Sequence, residues 1–82
     1  MNATNLWEMR NPKDTKFVKD FGKNLRKTRI SKGLSQEYLA DEANITSNQV
    51  SRIENGEVNT TIVTINALAK ALGIKVRDLF DF

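Results

Sequence analysis

The side chains with the most specific chemistry lie in a polar stripe over residues 47–55. On a helix, where successive residues are about 100° apart, five of them fall within an arc of roughly 140° opposite Val50 and Ile53; they are Ser47, Asn48, Ser51, Arg52 and Asn55. Asparagine pairs bidentately with adenine and arginine with guanine at major-groove edges, while serine contacts bases or phosphate. Because the stripe contains no acid, whereas a solvated helix face more often mixes Glu with Lys, it favours base readout.

The composition does not favour catalysis or metal binding. The 82 residues include no histidine and no cysteine, so the commonest general base and the commonest metal ligands are missing. Catalysis by carboxylates alone is the remaining route, but so short a chain builds a substrate pocket with difficulty. We therefore predict neither an enzyme nor a metal or other cofactor.

Positive charge is concentrated in the first part of the chain. The formal net charge is only +3, but residues 10–32 carry nine Lys/Arg and two acids. A polyanion would suit this region as a partner, and an ordinary solvated lysine face would give the same pattern.

No segment has the pattern of a targeting or membrane signal. The first residues lack a basic run followed by an apolar stretch, and no window approaches the roughly 18 apolar residues of a membrane span. We expect a cytoplasmic protein with no membrane partner.

Five helical segments, with no alternation of period two, predict an all-α fold around the stripe. The first segment runs from about Asp14 to Lys32 and stops at Gly33. Its cap is either Asp14, or Asn11 with Pro12 in the first helical position.

The next two segments frame the stripe. Ser35 caps a short helix through Ala43, and Thr46 forms a capping box with Gln49 that opens the stripe helix. Only about three residues separate these helices, so they cross steeply and share one small core, with Ala40 where the backbones approach. An ordinary helical hairpin shows a similar apolar pattern.

The remaining segments follow the stripe helix, which ends near Asn55 and Gly56. A fourth helix runs from about Ile62 to a stop at Gly73, and residues 76–80 form one last short helix.

Four stretches with characteristic spacing resemble the lambda-repressor/Cro-like, or XRE-type, helix-turn-helix family. They are residues 21–29 (FGKNLRKTR), 33–40 (GLSQEYLA), 50–56 (VSRIENG) and 68–73 (LAKALG). The resemblance spans about residues 17–80. It implies a compact five-helix bundle that places the third helix in the major groove of DNA.

The resemblance also assigns roles to single positions. Gln36 is similar to the family's glutamine that contacts a phosphate and can brace a residue on the recognition helix; a solvated first-turn residue is the alternative interpretation. Arg29 and Glu54 match a partly buried ion pair. Among the expected DNA-binding residues, Gln36 contacts a phosphate, and the residues at the bases are Thr46, Ser47, Asn48 and Arg52. Gln49 and Asn55 lie nearer the sugar-phosphate backbone, and Ser51 is added from the stripe.

Two positions depart from the family pattern. Asn44 stands where the family usually has a glycine in the turn, and Thr60 or Thr61 stands where a proline often precedes the fourth helix. Both are tolerable, since Asn adopts left-handed backbone and Thr can cap a helix.

The predicted function is a sequence-specific transcriptional regulator that binds palindromic double-stranded DNA as a homodimer. The alternative is an antitoxin-type module that neutralises a toxin partner and autoregulates by binding DNA. The candidate dimer interface is the apolar surface near Ile74, Val76, Phe80 and Phe82, and for Phe80 and Phe82 a place in the core is an equal alternative. Residues 1–13 are predicted to be an arm or tail ahead of a DNA-binding domain at 14–82; a segment folded on the core and a contact arm for a second subunit are left open.

Overall fold

The computed structural model describes the backbone of residues 12–82 and the side chains of residues 15–82. Its elements are α1 (Pro12–Ser31), α2 (Gln36–Ala43), α3 (Ser47–Glu54), α4 (Ile62–Leu72) and a closing 3₁₀ helix (Val76–Phe80). Residues 12–82 contain no strand, so the all-α prediction is confirmed. The predicted count of five helices needs a correction, because the last is a single short 3₁₀ segment, the form in which that geometry usually occurs.

Of the two predicted starts of the first helix, the one with Pro12 in the first helical position is confirmed, and a cap at Asp14 is wrong. Pro12 is its first residue, a position where the missing proline N–H costs nothing and the fixed φ favours a helix. Asn11, the proposed cap, lies outside the described residues, and so do residues 1–10 of the predicted arm.

The predicted helix starts at Ser35 and Thr46 are confirmed, and Thr61 rather than Thr60 caps α4. The Ser35 hydroxyl accepts a hydrogen bond from the Tyr38 backbone N–H at 3.0 Å, and Thr61 accepts one from the Thr64 N–H at 3.2 Å. Each cap satisfies one of the amides that a helix start leaves without a partner.

All four α-helices end in the same kind of turn, in which one residue adopts left-handed backbone. The next residue then donates its N–H to a carbonyl in the last turn of the helix, which is the Schellman arrangement. The left-handed residues are Gly33, Asn44, Gly56 and Gly73, and the bonds are Leu34 to Arg29 (3.2 Å), Ile45 to Ala40 (3.0 Å), Glu57 to Arg52 (2.9 Å) and Ile74 to Ala69 (3.0 Å). Asparagine therefore replaces the family's turn glycine without changing the turn.

The core lies between the helices and is entirely aliphatic at its centre. Its fully buried side chains come from all five elements: Leu25, Leu39, Val50, Leu68 and Leu79. Ala40 is buried as predicted. Among residues 12–82, no helix combines the length and the apolar content needed to cross a bilayer.

Phenylalanines from both ends of the described chain form one aromatic cluster. The Phe80 ring lies 5.0 Å from that of Phe21 and 6.0 Å from that of Phe17, and Phe82 lies 5.6 Å from Phe17. Phe80 is therefore half-buried within the protomer, as is Ile74. Of the four residues predicted near the interface, only Val76 and Phe82 stay well exposed, at 39% and 54%.

Candidate DNA-binding surface

The third helix has one buried and one exposed side, as its sequence predicts. Val50 and Ile53 are buried in the core. On the opposite side, Ser51 is half-buried, and four members of the polar stripe are exposed: Ser47, Asn48, Arg52 and Asn55. The structure thus brings the stripe together on a single helix face.

The start of α3 is fixed by the predicted capping box. The Thr46 hydroxyl accepts from the Gln49 backbone N–H at 3.1 Å, and the Gln49 side-chain oxygen accepts from the Thr46 N–H at 2.9 Å. Both side chains are exposed. Their capping groups are already engaged, so this pair can offer DNA the Gln49 side-chain NH₂ as a donor and the Thr46 methyl group as an apolar contact.

The far end of α3 is held by the buried ion pair that the resemblance implied. Arg29 donates to Glu54 through Nε (2.7 Å) and Nη2 (3.0 Å), and its Nη1 donates to the Leu34 carbonyl at 2.7 Å. The side chains of Arg29 and Glu54 are only 10% and 1% exposed. Such a bidentate contact fixes orientation as well as distance.

The arginine of this pair stays charged over the ordinary pH range. The pKa of Arg29 is raised above its ordinary value, mainly because its side chain hydrogen-bonds to Glu54. A raised pKa favours the charged form, so the stabilisation from the guanidinium is fully present below the ordinary pKa of arginine and is lost only as the pH rises through the raised one.

Gln36 joins the same network from α2. Its Nε2 donates to Glu54 Oε1 at 3.0 Å, and the residue is half-buried. This contact matches the bracing role that the resemblance implied and is at odds with a merely solvated first-turn residue. The amide carries a second N–H, which is the group that a phosphate would use.

A close backbone approach between α1 and α3 escaped the sequence-based interpretation. A Cβ added at Gly22 would lie 2.3 Å from the Ile53 carbonyl oxygen and 2.6 Å from that of Glu54. Only glycine allows α1 to lie this near the end of α3. A glycine inside a helical pattern was the available signal, since it often marks such an approach.

The DNA-binding residues predicted from the sequence do not include Glu57, which lies beside two of them, Arg52 and Asn55. Its Oε1 is 3.8 Å from Arg52 Nε, and its Oε2 accepts from Asn55 Nδ2 at 3.3 Å. The signal was the Asn55–Gly56 stop, because a turn of this type brings the second following residue back toward the last helical turn.

Known proteins share both the sequence pattern and the fold. The family model described as helix-turn-helix (HTH_3) matches residues 25–79, more than half of the chain. Control protein C.BamHI of Bacillus amyloliquefaciens is 41% identical over 63 residues, which cover 76% of this chain and 78% of that protein. Control protein C.MunI of Mycoplasma sp is 38% identical over 62 residues, with coverage of 74% and 84%.

Among solved structures, the restriction-modification controller protein C.AhdI from Aeromonas hydrophila matches with a TM-score of 0.76. The two chains are 43% identical, and the match covers 77% of this chain and 96% of that one. The chain therefore belongs to the XRE-type helix-turn-helix family of DNA-binding transcriptional regulators, as its motifs indicated.

Proposed function

We propose that this protein binds a palindromic operator in duplex DNA as a homodimer, with α3 in the major groove of each half-site. The observation that carries the proposal is the polar stripe on α3, which is mostly exposed and has no acid among its own members. An α-helix fits the major groove, and amide and guanidinium groups match the base edges there. The buried contacts at the end of α3 hold this face in a fixed position, which lowers the ordering cost of binding.

The roles of the side chains follow from their places on the motif. The base edges are read from the start and the exposed face of α3, by Thr46, Ser47, Asn48 and Arg52, with Ser51 beside them. The sugar-phosphate backbone is contacted by Gln36, Gln49 and Asn55. Phosphate contacts set the register of the protein on DNA, and base contacts select the sequence.

Dimerisation is part of the proposal because one module of this size buries little surface on DNA. Ile62 and Val63 at the start of α4 are 84% and 78% exposed, and they are large apolar side chains. Exposed apolar pairs of this kind are typical of protein interfaces. We place them in the interface, with Val76 and Phe82 as the second candidate surface.

The relatives suggest which genes the protein regulates. C.BamHI and C.MunI are named control proteins, and C.AhdI is named a restriction-modification controller. We infer the same role here, the control of restriction and modification genes in the cytoplasm. The alternative role as an antitoxin, with a toxin partner, receives no support from these relatives.

The direct test is selection of bound sites from a random DNA library, followed by sedimentation of the protein on its best site. We expect a palindrome with half-site centres about 10 base pairs apart, one helical turn, and two protomers per site. A protein that remains monomeric on its best site, or that selects no sequence, would contradict the proposal.

A further inference from the structure

We propose that Glu57 determines specificity by positioning Arg52, although it contacts no base itself. The carboxylate holds the guanidinium at its Nε side, which leaves the two terminal nitrogens to form the fork that reads guanine. The inference rests on the proposed DNA-binding role of α3.

The backbone turn after α3 brings the two residues together. Gly56 has a φ of 72°, its N–H donates to the Ile53 carbonyl at 3.0 Å, and the Glu57 N–H donates to the Arg52 carbonyl at 2.9 Å. Two hydrogen bonds and a left-handed glycine fix this turn. Glu57 therefore starts from a backbone position directly beside the last turn of α3.

The side chains then meet over the exposed face. Glu57 Oε1 lies 3.8 Å from Arg52 Nε, and Oε2 accepts from Asn55 Nδ2 at 3.3 Å. The side chains of Arg52 and Glu57 are 51% and 54% exposed. The Glu57 carboxylate thus lies between two members of the stripe, and the stripe itself contains no acid.

This arrangement has two effects on a long, flexible arginine. First, restricting its rotamers before binding reduces the entropy lost when it reaches a base. Second, the carboxylate repels phosphates, so Arg52 is discouraged from acting as a sequence-independent clamp on the DNA backbone. Both effects raise the preference for the correct site over random DNA.

Glu57→Gln tests the proposal, because it keeps the size of the side chain and removes its charge. We expect binding to random DNA to strengthen, and the ratio of affinities between the selected site and random DNA to fall by a factor of about 1.4 to 5, the range of an exposed ion pair. On random DNA the salt slope should steepen by about one, since Arg52 is released to a phosphate.

The matched control is Glu37→Gln, which removes the same charge from an exposed acid in the first turn of α2. It should strengthen binding to both DNAs alike and leave the ratio unchanged. In an Arg52→Ala background, Glu57→Gln should also leave the ratio unchanged, because the residue that it positions is gone.

The outcomes separate this inference from the proposed function. If wild-type protein binds its selected site but Glu57→Gln behaves like Glu37→Gln, or lowers the ratio equally without Arg52, Glu57 has no positioning role. If the wild-type protein shows no selective DNA binding, the proposed function itself is wrong and the inference is overturned with it.

Discussion

Arg29 and Glu54 are separated by 25 positions in the chain, yet their side chains meet in two hydrogen bonds of 2.7 and 3.0 Å. The contact joins α1 to the last residue of α3, and Gln36 extends it to α2. Three helices therefore converge on one buried carboxylate. The position of α3 depends on this carboxylate being fully paired.

Replacing Arg29 by alanine should lower the free energy of unfolding by about 3 kcal/mol, because the Glu54 charge is left buried without its partner. Arg26→Ala is the control, since Arg26 is exposed on the same helix, and it should change stability little. Replacing Arg29 and Glu54 together by apolar residues should recover part of the loss. Denaturant titration measures all of these; equal stability of Arg29→Ala and wild type would mean that the pair contributes nothing.

Gly22→Ala should destabilise the protein by about 2 kcal/mol or more, because the new methyl group meets backbone carbonyls that cannot rotate away. Gly33→Ala is the control: it has a φ of 71° but open space around it, so it should cost about 1 kcal/mol from backbone strain alone. Urea midpoints compare the two. A Gly22→Ala variant as stable as Gly33→Ala would show that α1 and α3 separate readily.

These sites also show which features can be predicted from residues that are close together in the sequence. The starts of α2 and α3 could be read from the sequence because a cap such as Thr46 with Gln49 is formed by residues three apart. Gly22 and Glu57 could not be assigned in this way. The first matters through a helix distant in the chain, and the second through the side chain of Arg52, which only the folded turn brings near.

The apolar pattern likewise left part of the surface undetermined. Phe80 could fill the core or face a partner, and its contact with Phe21 depends on how the 3₁₀ helix packs against α1. Ile62 and Val63 are large apolar residues, yet they are exposed. Burial of such residues follows from packing between elements, which composition and periodicity do not specify.

Arg52→Ala should weaken binding to the selected site by about 1–3 kcal/mol per contact, with little change on random DNA, because guanine readout is lost. Preference at one base pair in each half-site should relax. Binding titrations on selected and scrambled DNA across a salt series measure the affinities and the salt slopes. Equal weakening on both DNAs with a shallower salt slope would identify Arg52 as a phosphate clamp.

Gln36→Ala should weaken binding to every sequence by a similar factor, because Gln36 is assigned to a phosphate and not to a base. The salt slope should stay almost unchanged, since the side chain is neutral. Stability should also fall by about 1 kcal/mol, because one hydrogen bond to the buried Glu54 is removed. Loss of binding to one sequence only would place Gln36 at a base edge.

Val63→Asp should shift the protein toward monomers, because a charge in an apolar interface must be buried without a partner. Its stability should change little, since Val63 is 78% exposed. Val76→Asp is the comparison at the second candidate surface. Sedimentation at several concentrations distinguishes the two surfaces, and a Val63→Asp protein that dimerises like wild type would exclude the start of α4.

The left-handed turns that end α1 to α4 are held by backbone hydrogen bonds between residues only five positions apart in the chain. The connections are short as well: residues 32–35, 44–46, 55–61 and 73–75. Helical domains with mostly local contacts fold in microseconds to milliseconds. We therefore expect newly made chains to fold almost as soon as they leave the ribosome, so that the time course of regulation would follow the rates of synthesis and of dimer assembly.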